Sequence, residues 1–221
     1  MDARIVTKKP ARRKADRTRD PERTKADILT VATKEFASHG LSGARIDTIA
    51  ALMRTSKRMI YYYFGSKEGL YLAVLEKAYS HIRAAEASLP LDSLDAVEAL
   101  RRLVEQTFEN DDANEDFVRL VAIENIHLGR LFEKTDSLRK INSGALETIK
   151  SILNRGQAAG MFRDDLDPVD VHMAISALCF FRVSNKYTFG KIFDIDLFNP
   201  SRRRKHKRMI VEAVLRLVRK E

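Results

Sequence analysis

Apolar residues recur along this chain every three or four positions and nowhere alternate over the length of a strand, which is the spacing of helices that bury one face. Asp20-Pro21-Glu22 predicts a helix start, with a side-chain cap, a proline in the first turn and an acid near the positive end of the dipole. The stripe Ile28, Ala32, Phe36, with Leu29 alongside, carries that helix to His39-Gly40, where the glycine suits a left-handed stop. Ile46, Ile49, Ala50 and Met53 predict a short second helix. A tight turn at Arg54-Thr55 leads to Ser56, an N-cap for a third. After Gly65-Ser66, the stripe Leu70, Val74, Ala78, Ile82 predicts a long fourth helix that fades near Ala87-Ser88 before Pro90.

Beyond Pro90 the same spacing marks five more helices. Ala96, Leu100, Leu103, Val104 and Phe108 form the inner face of the fifth, followed by what reads as an acidic loop over residues 110–114. Phe117, Leu120, Val121, Leu128 and Leu131 mark a sixth. Leu138, Ile141, Leu146, Ile149, Ile152 and Leu153 mark a seventh that ends at Ala159-Gly160. Asp167-Pro168 opens an eighth helix, through about Tyr187, that is apolar on most sides, and such a helix is buried all round. A second subunit supplies that burial most readily. Asn199-Pro200 caps the last, with Met209, Ile210, Val214, Leu217 and Val218 at helical spacing. The expected fold is all-α with about nine helices. It divides into an arm at 1–19, a three-helix unit at 20–66 and a helical domain at 67–221, joined by a connecting helix at 67–88.

One run does not fit a plain core stripe. In Ser56-Lys-Arg-Met-Ile-Tyr-Tyr-Tyr-Phe64, four aromatics follow two cations. At about 100° of rotation per residue they cannot all face one core. Met59, Ile60 and Tyr63 share the packing side. Lys57, Arg58, Tyr61 and Tyr62 share the other, a surface of cations and phenols suited to phosphates and base edges. Helix, short turn and second helix, with small Ala50 at the crossing, is the helix-turn-helix pattern.

Charge sharpens this picture. The chain of 221 residues has a net charge of +9, distributed as +5 over residues 1–20, +6 over Arg202–Arg208 and −2 elsewhere. Within that remainder, residues 45–67 hold five Lys/Arg against Asp47. Such clusters suit a polyanion. The first segment reads equally as a phosphate-tracking arm or a solubilising tail, the late segment as a polyanion site or a solvated face. The single cysteine, Cys179, excludes an internal disulfide and fits a reducing compartment. With no apolar leader and no run long enough to span a bilayer, a soluble cytoplasmic protein is expected. No metal-ligand spacing, phosphate loop, nucleophile elbow or catalytic pair stands out, so neither enzyme activity nor a metal or cofactor is expected.

The spacing of Phe36, His39-Gly40, Ile49-Ala50, Ser56, Ile60 to Phe64, Ser66-Lys67-Glu68 and Leu70 resembles the DNA-binding domain of the tetracycline-repressor (TetR) family. The sequence departs from the family pattern at Arg54, where the turn usually has glycine, at Arg45 and at Arg58. The last two add cations on the DNA side. The resemblance implies a transcriptional regulator, most readily a homodimeric repressor paired through its last two helices. It would bind a palindromic double-stranded operator and be released by a small-molecule effector. Arg45, Thr48, Thr55, Ser56, Lys57, Arg58, Tyr61, Tyr62 and Lys67 are the expected DNA contacts. Polar residues in apolar surroundings, Glu124, Asn125 and His127 on the sixth helix and His172, Arg182 and Asn185 on the eighth, are candidate ligand contacts. Arg182 suggests an aromatic or heteroaromatic acid as ligand, against the plainer reading that it pairs with an internal acid. Two other functions remain open at this point: a DNA-binding factor of this fold with no inducer, and a helical enzyme or ligand carrier that does not read DNA.

Overall fold

The computed structural model describes residues 20–220, so the basic arm expected at 1–19 lies outside the described residues. Ten α-helices occur among them, with two single 3-10 turns and no strands. Helices α1 (Pro21–Gly43), α2 (Ile46–Leu52) and α3 (Lys57–Phe64) form the reading unit. Helix α4 (Lys67–Ala87) leads into α5 (Ala96–Ala113), α6 (Glu115–Ile126), α7 (Ser137–Ala158), α8 (Pro168–Ser184), α9 (Lys186–Ile192) and α10 (Pro200–Val218).

The caps explain most of the boundaries. Asp20, Ser56, Ser66, Asp95, Asp167 and Asn199 each accept a backbone N–H from the first turn of their helix, satisfying donors that would otherwise be orphaned. Gly40 has φ 65°, and the chain bends there inside α1. Arg54 has φ 49° in the α2–α3 turn, the left-handed conformation that glycine would adopt without strain.

Two cores result. One gathers Ile28, Phe36, Ile49, Ile60, Leu70, Tyr71 and Val74 of the reading unit and α4 with Leu120 of α6 and Leu138 of α7. The other joins α5, α7, α8 and α10 through Leu100, Val104, Phe108, Ile152, Ile175, Val214 and others. The reading unit is therefore continuous with the rest of the chain. Arg119 Nε on α6 donates to the Ala37 carbonyl of α1 at 2.9 Å, and Lys77 Nζ on α4 donates to Thr30 Oγ1 at 3.1 Å.

The structure corrects four expectations. The acidic loop at 110–114 is helical, since α5 runs to Ala113, with Asn110 and Asp111 buried. The sixth helix ends at Ile126, and Leu128 and Gly129 turn away with positive φ. The eighth ends at Ser184, and the short α9 brings the count to ten rather than nine. Within the single chain α8 is not buried all round: Val171, Ile175, Cys179 and Val183 face the core, but Val169, Met173, Leu178 and Phe181 are exposed.

Candidate nucleic-acid interface and central cavity

Helix α3 begins where Ser56 Oγ accepts the Met59 N–H at 3.3 Å, and Ile60 anchors it in the core with no exposure. This anchoring turns Arg58, Tyr61 and Tyr62 outward. Tyr62 is 78% exposed, unusual for an aromatic with no covering partner. It meets Tyr63 edge-on at 5.3 Å between ring centroids, and Tyr63 in turn lies under Lys25. Met59, expected on the packing side, is exposed instead.

The nine expected DNA contacts share the α2–α3 end of the molecule, but their states differ. Arg58 makes no ion pair with a described residue, whereas Lys57 Nζ sits 2.6 Å from Asp47 on α2. Arg45 is exposed, and its backbone N–H is held by Glu35 Oε1 at 2.9 Å, which fixes the start of α2. Thr48 and Thr55 are half-buried, and Ser56 is exposed despite its capping role. Lys67 is half-buried, with its amine on the Ser42 carbonyl at 3.2 Å, so part of its role is to tie α4 to the end of α1. The surface that remains is a cationic and phenolic helix face, which can donate to phosphate oxygens and to base edges.

The six candidate ligand contacts do not converge. Glu124 and His127 border a hollow between the end of α6, the end of α1 and the start of α4. Asn125 is exposed and donates to the Val121 carbonyl of its own helix. Asn185 likewise turns back onto the Phe181 carbonyl. Arg182 is 1% exposed, paired with Asp112 and sandwiched between the Phe108 and Phe198 rings at 4.4 and 4.6 Å. Its charge is already answered inside the protein, so the expectation of an anionic ligand loses its basis. Asp112 also receives Arg203, which with Lys207 holds Glu109. This network accounts for two of the six cations at Arg202–Arg208: they pin α10 to α5.

Only His172 of the six borders the central cavity, about 210 Å³ and lined from α4, α5, α6, α7 and α8. Tyr79, Phe117 and Phe180 provide aromatic wall. Arg83, Glu86, Asn110 and Asp111 provide a polar end. Arg83 Nη1 reaches Glu86 at 2.6 Å. Burial pushes the Asp111 carboxyl up to about 7, with Arg182 and Arg83 pulling it down and Glu86 pushing it up. Burial also raises Glu86 and, with help from Arg83, lowers His172, which favours its neutral form. Apart from His172, these residues were not among the expected ligand contacts. The available signal was the inward stripe Leu100, Val104, Phe108, which at helical spacing places Asp111 inside rather than in a loop.

The model described as "Bacterial regulatory proteins, tetR family" matches residues 28–74, and that described as "Tetracyclin repressor-like, C-terminal domain" matches residues 97–214. The chain is 37% identical to the HTH-type transcriptional repressor NicS of Pseudomonas putida over 204 residues, which is 92% of this chain and 96% of that protein. It is 40% identical to the HTH-type transcriptional repressor SCO4008 of Streptomyces coelicolor over 111 residues, 50% of this chain and 54% of that one. The crystal structure of a bacterial regulatory protein in the tetR family from Rhodococcus RHA1 superposes with a TM-score of 0.71 at 21% identity, covering 90% of this chain and 98% of that one.

Proposed function

We propose, from the premise that this chain belongs to the tetR family of bacterial regulatory proteins, that it is a homodimeric repressor which a small molecule releases from a palindromic operator. Membership makes the chain a DNA-binding transcriptional regulator of helix-turn-helix type. Among the described residues no helix is long and apolar enough to cross a membrane. The observation that carries the finer reading is the exposed α3 face of Arg58, Tyr61 and Tyr62 beside the core-anchored Ile60. In this reading two α3 helices lie in successive major grooves about 34 Å apart, or a multiple of that. Arg58 reads a base edge, the tyrosines and threonines hold phosphates, and Arg45 extends the contact from α2.

The outward apolar residues of α8 and α10 support pairing of two copies. The central cavity supports ligand control, because its walls belong to helices that grip the reading unit. Tyr79, Ile82, Arg83 and Glu86 come from α4, while Phe117 and Val121 come from α6, whose Arg119 holds α1. A ligand that spreads α4 and α6 displaces the two α3 heads relative to each other. A coupling of about 1–3 kcal/mol weakens operator binding roughly 5–150-fold.

Genomic fragments retained by the purified protein at physiological salt, once sequenced, test this directly. The expected product is a set of sites with inverted half-sites, each protected by two chains. Recovery of no enriched sequence overturns the reading of specific recognition, and a single unrepeated half-site overturns the dimeric one.

A further inference from the structure

We propose that the central cavity takes a small single-ring aromatic ligand carrying one positive charge, which docks on the Asp111 carboxylate. The proposal rests on the cavity being the effector site and names the chemistry of what enters it. Asp111 is 6% exposed, lines the cavity and makes no hydrogen bond or ion pair with a described residue. Its neighbour Asn110 is equally buried, and its Nδ2 is also without a partner. Buried polar groups are normally satisfied, and a carboxylate left alone in an apolar setting is costly. Asp111 also lies in the last turn of α5, where the helix dipole opposes a negative charge.

None of the neighbouring titratable groups forms an ion pair with Asp111. Arg182, which also acts on it through space, is paired with Asp112. Arg83 on α4 is paired with Glu86. His172 on α8 is held toward its neutral form by burial and by Arg83, and Cys179 on the same helix is a thiol whose pKa burial pushes up to about 12. With Arg83 and Glu86 paired, Asp111 is the acid of the cavity lining left without an ion-pair partner, and a monocation can take that place. Tyr79, Phe117 and Phe180 line the cavity, and aromatic rings favour a cation and stack with a flat ligand. About 210 Å³ lies below the roughly 300–1,000 Å³ of sites for drug-sized molecules, so a single ring fits and a drug-sized ligand does not. A carboxylate ligand, by contrast, would add a third acid to Asp111 and Glu86.

Benzamidine and benzoate, flat single rings of opposite charge, are the probes. In calorimetric titration near pH 8 benzamidine is expected to bind, and benzoate is not. Asp111→Asn, which keeps shape and removes charge, is expected to weaken benzamidine binding about tenfold or more. Ser176→Phe, which fills the cavity from α8 and leaves Asp111 intact, is expected to abolish it. Equal binding of benzoate, absence of benzamidine binding, or full affinity in either variant overturns the proposal. The same titration on protein bound to its operator, followed by fluorescence anisotropy, separates the two readings. Binding through Asp111 without DNA release upholds the ligand chemistry and overturns ligand-released repression. Release that persists in Asp111→Asn overturns the ligand chemistry alone.

Discussion

Two single residues carry opposite electrostatic assignments. Arg58 is a cation kept free: it points out of a helix anchored by Ile60, and no described acid answers it. A bidentate arginine on a base pair is worth about 1–3 kcal/mol of discrimination, so Arg58→Ala should weaken specific operator binding roughly 5–150-fold in fluorescence anisotropy while leaving the dimer intact. Unchanged affinity would move the reading face elsewhere. Lys57 should matter less, because Asp47 holds its amine at 2.6 Å and must be displaced. Asp111 is an acid kept buried. Its carboxyl is raised to about 7, mainly by burial, above the ~3.9 of an unfolded chain. The folded state therefore binds the extra proton, and the associated stability is present below about pH 4 and lost as pH rises through about 7. Asp111→Asn should raise the melting temperature at pH 8, by roughly 2–8 °C given about 2–4 °C per kcal/mol at this chain length. The gain should shrink toward pH 5. Thermal scans at fixed protein concentration check this, and a gain independent of pH would show that the carboxyl is not raised. The rotation argument separated Arg58, Tyr61 and Tyr62 from Ile60 before any coordinates, because one helix turn decides it. Asp111 was not legible in the same way: its partners in space lie on α4 and α8, far from it in the chain.

At the level of elements, the helix starts were legible and the interior polar groups were not. Asp20, Ser56, Asp167 and Asn199 are caps whose chemistry is complete within four residues. Residues 110–114 read as an acidic loop because the adjacent acids Asp111 and Asp112 stand between asparagines in loop-like surroundings. The structure instead pairs Glu109 and Asp112 with cations 70 to 98 residues away, Arg182, Arg203 and Lys207. The same contacts answer why Arg203 and Lys207 stand near the start of α10, against its dipole. They staple α8 and α10 to α5. Asp112 is the node, since Arg182 is almost fully buried and has that carboxylate as its ionic partner. Asp112→Ala strands a buried guanidinium and should cost about 3–5 kcal/mol, whereas Arg182→Met keeps an unbranched chain between the Phe108 and Phe198 rings and leaves Asp112 with Arg203. Urea denaturation should place Arg182→Met well above Asp112→Ala in stability. Equal losses would mean that packing between the rings, rather than charge compensation, holds α8 to α5.

For the whole molecule the central issue is what covers the outer face of α8. Val169, Met173, Ala177 and Phe181 follow one another at intervals of four along that face, with Leu178 beside them. Phe181 is 52% exposed in the single chain. On α10, Met209, Ala213 and Leu217 repeat the same interval on the solvent side, while Ile210, Val214 and Val218 face inward. Two helices with apolar residues on both sides are what a two-fold four-helix contact requires, because each copy then contributes the same patch to the other. A charge placed at the centre of such a patch is introduced twice, once from each copy, and is desolvated on association. Phe181→Glu should therefore convert the proposed dimer to a monomer near the chain mass of 25.2 kDa in light scattering. It should change the melting of the isolated chain little, since the residue is already half in water. Operator affinity should fall by about 10²–10⁴, the gain that linking two reading heads provides. Ile126→Glu, a substitution at a more exposed apolar site on α6 outside both stripes, should leave assembly and affinity unchanged. If Phe181→Glu remains dimeric and binds DNA as before, the two copies meet through another surface, and the spacing of their α3 helices is set there instead.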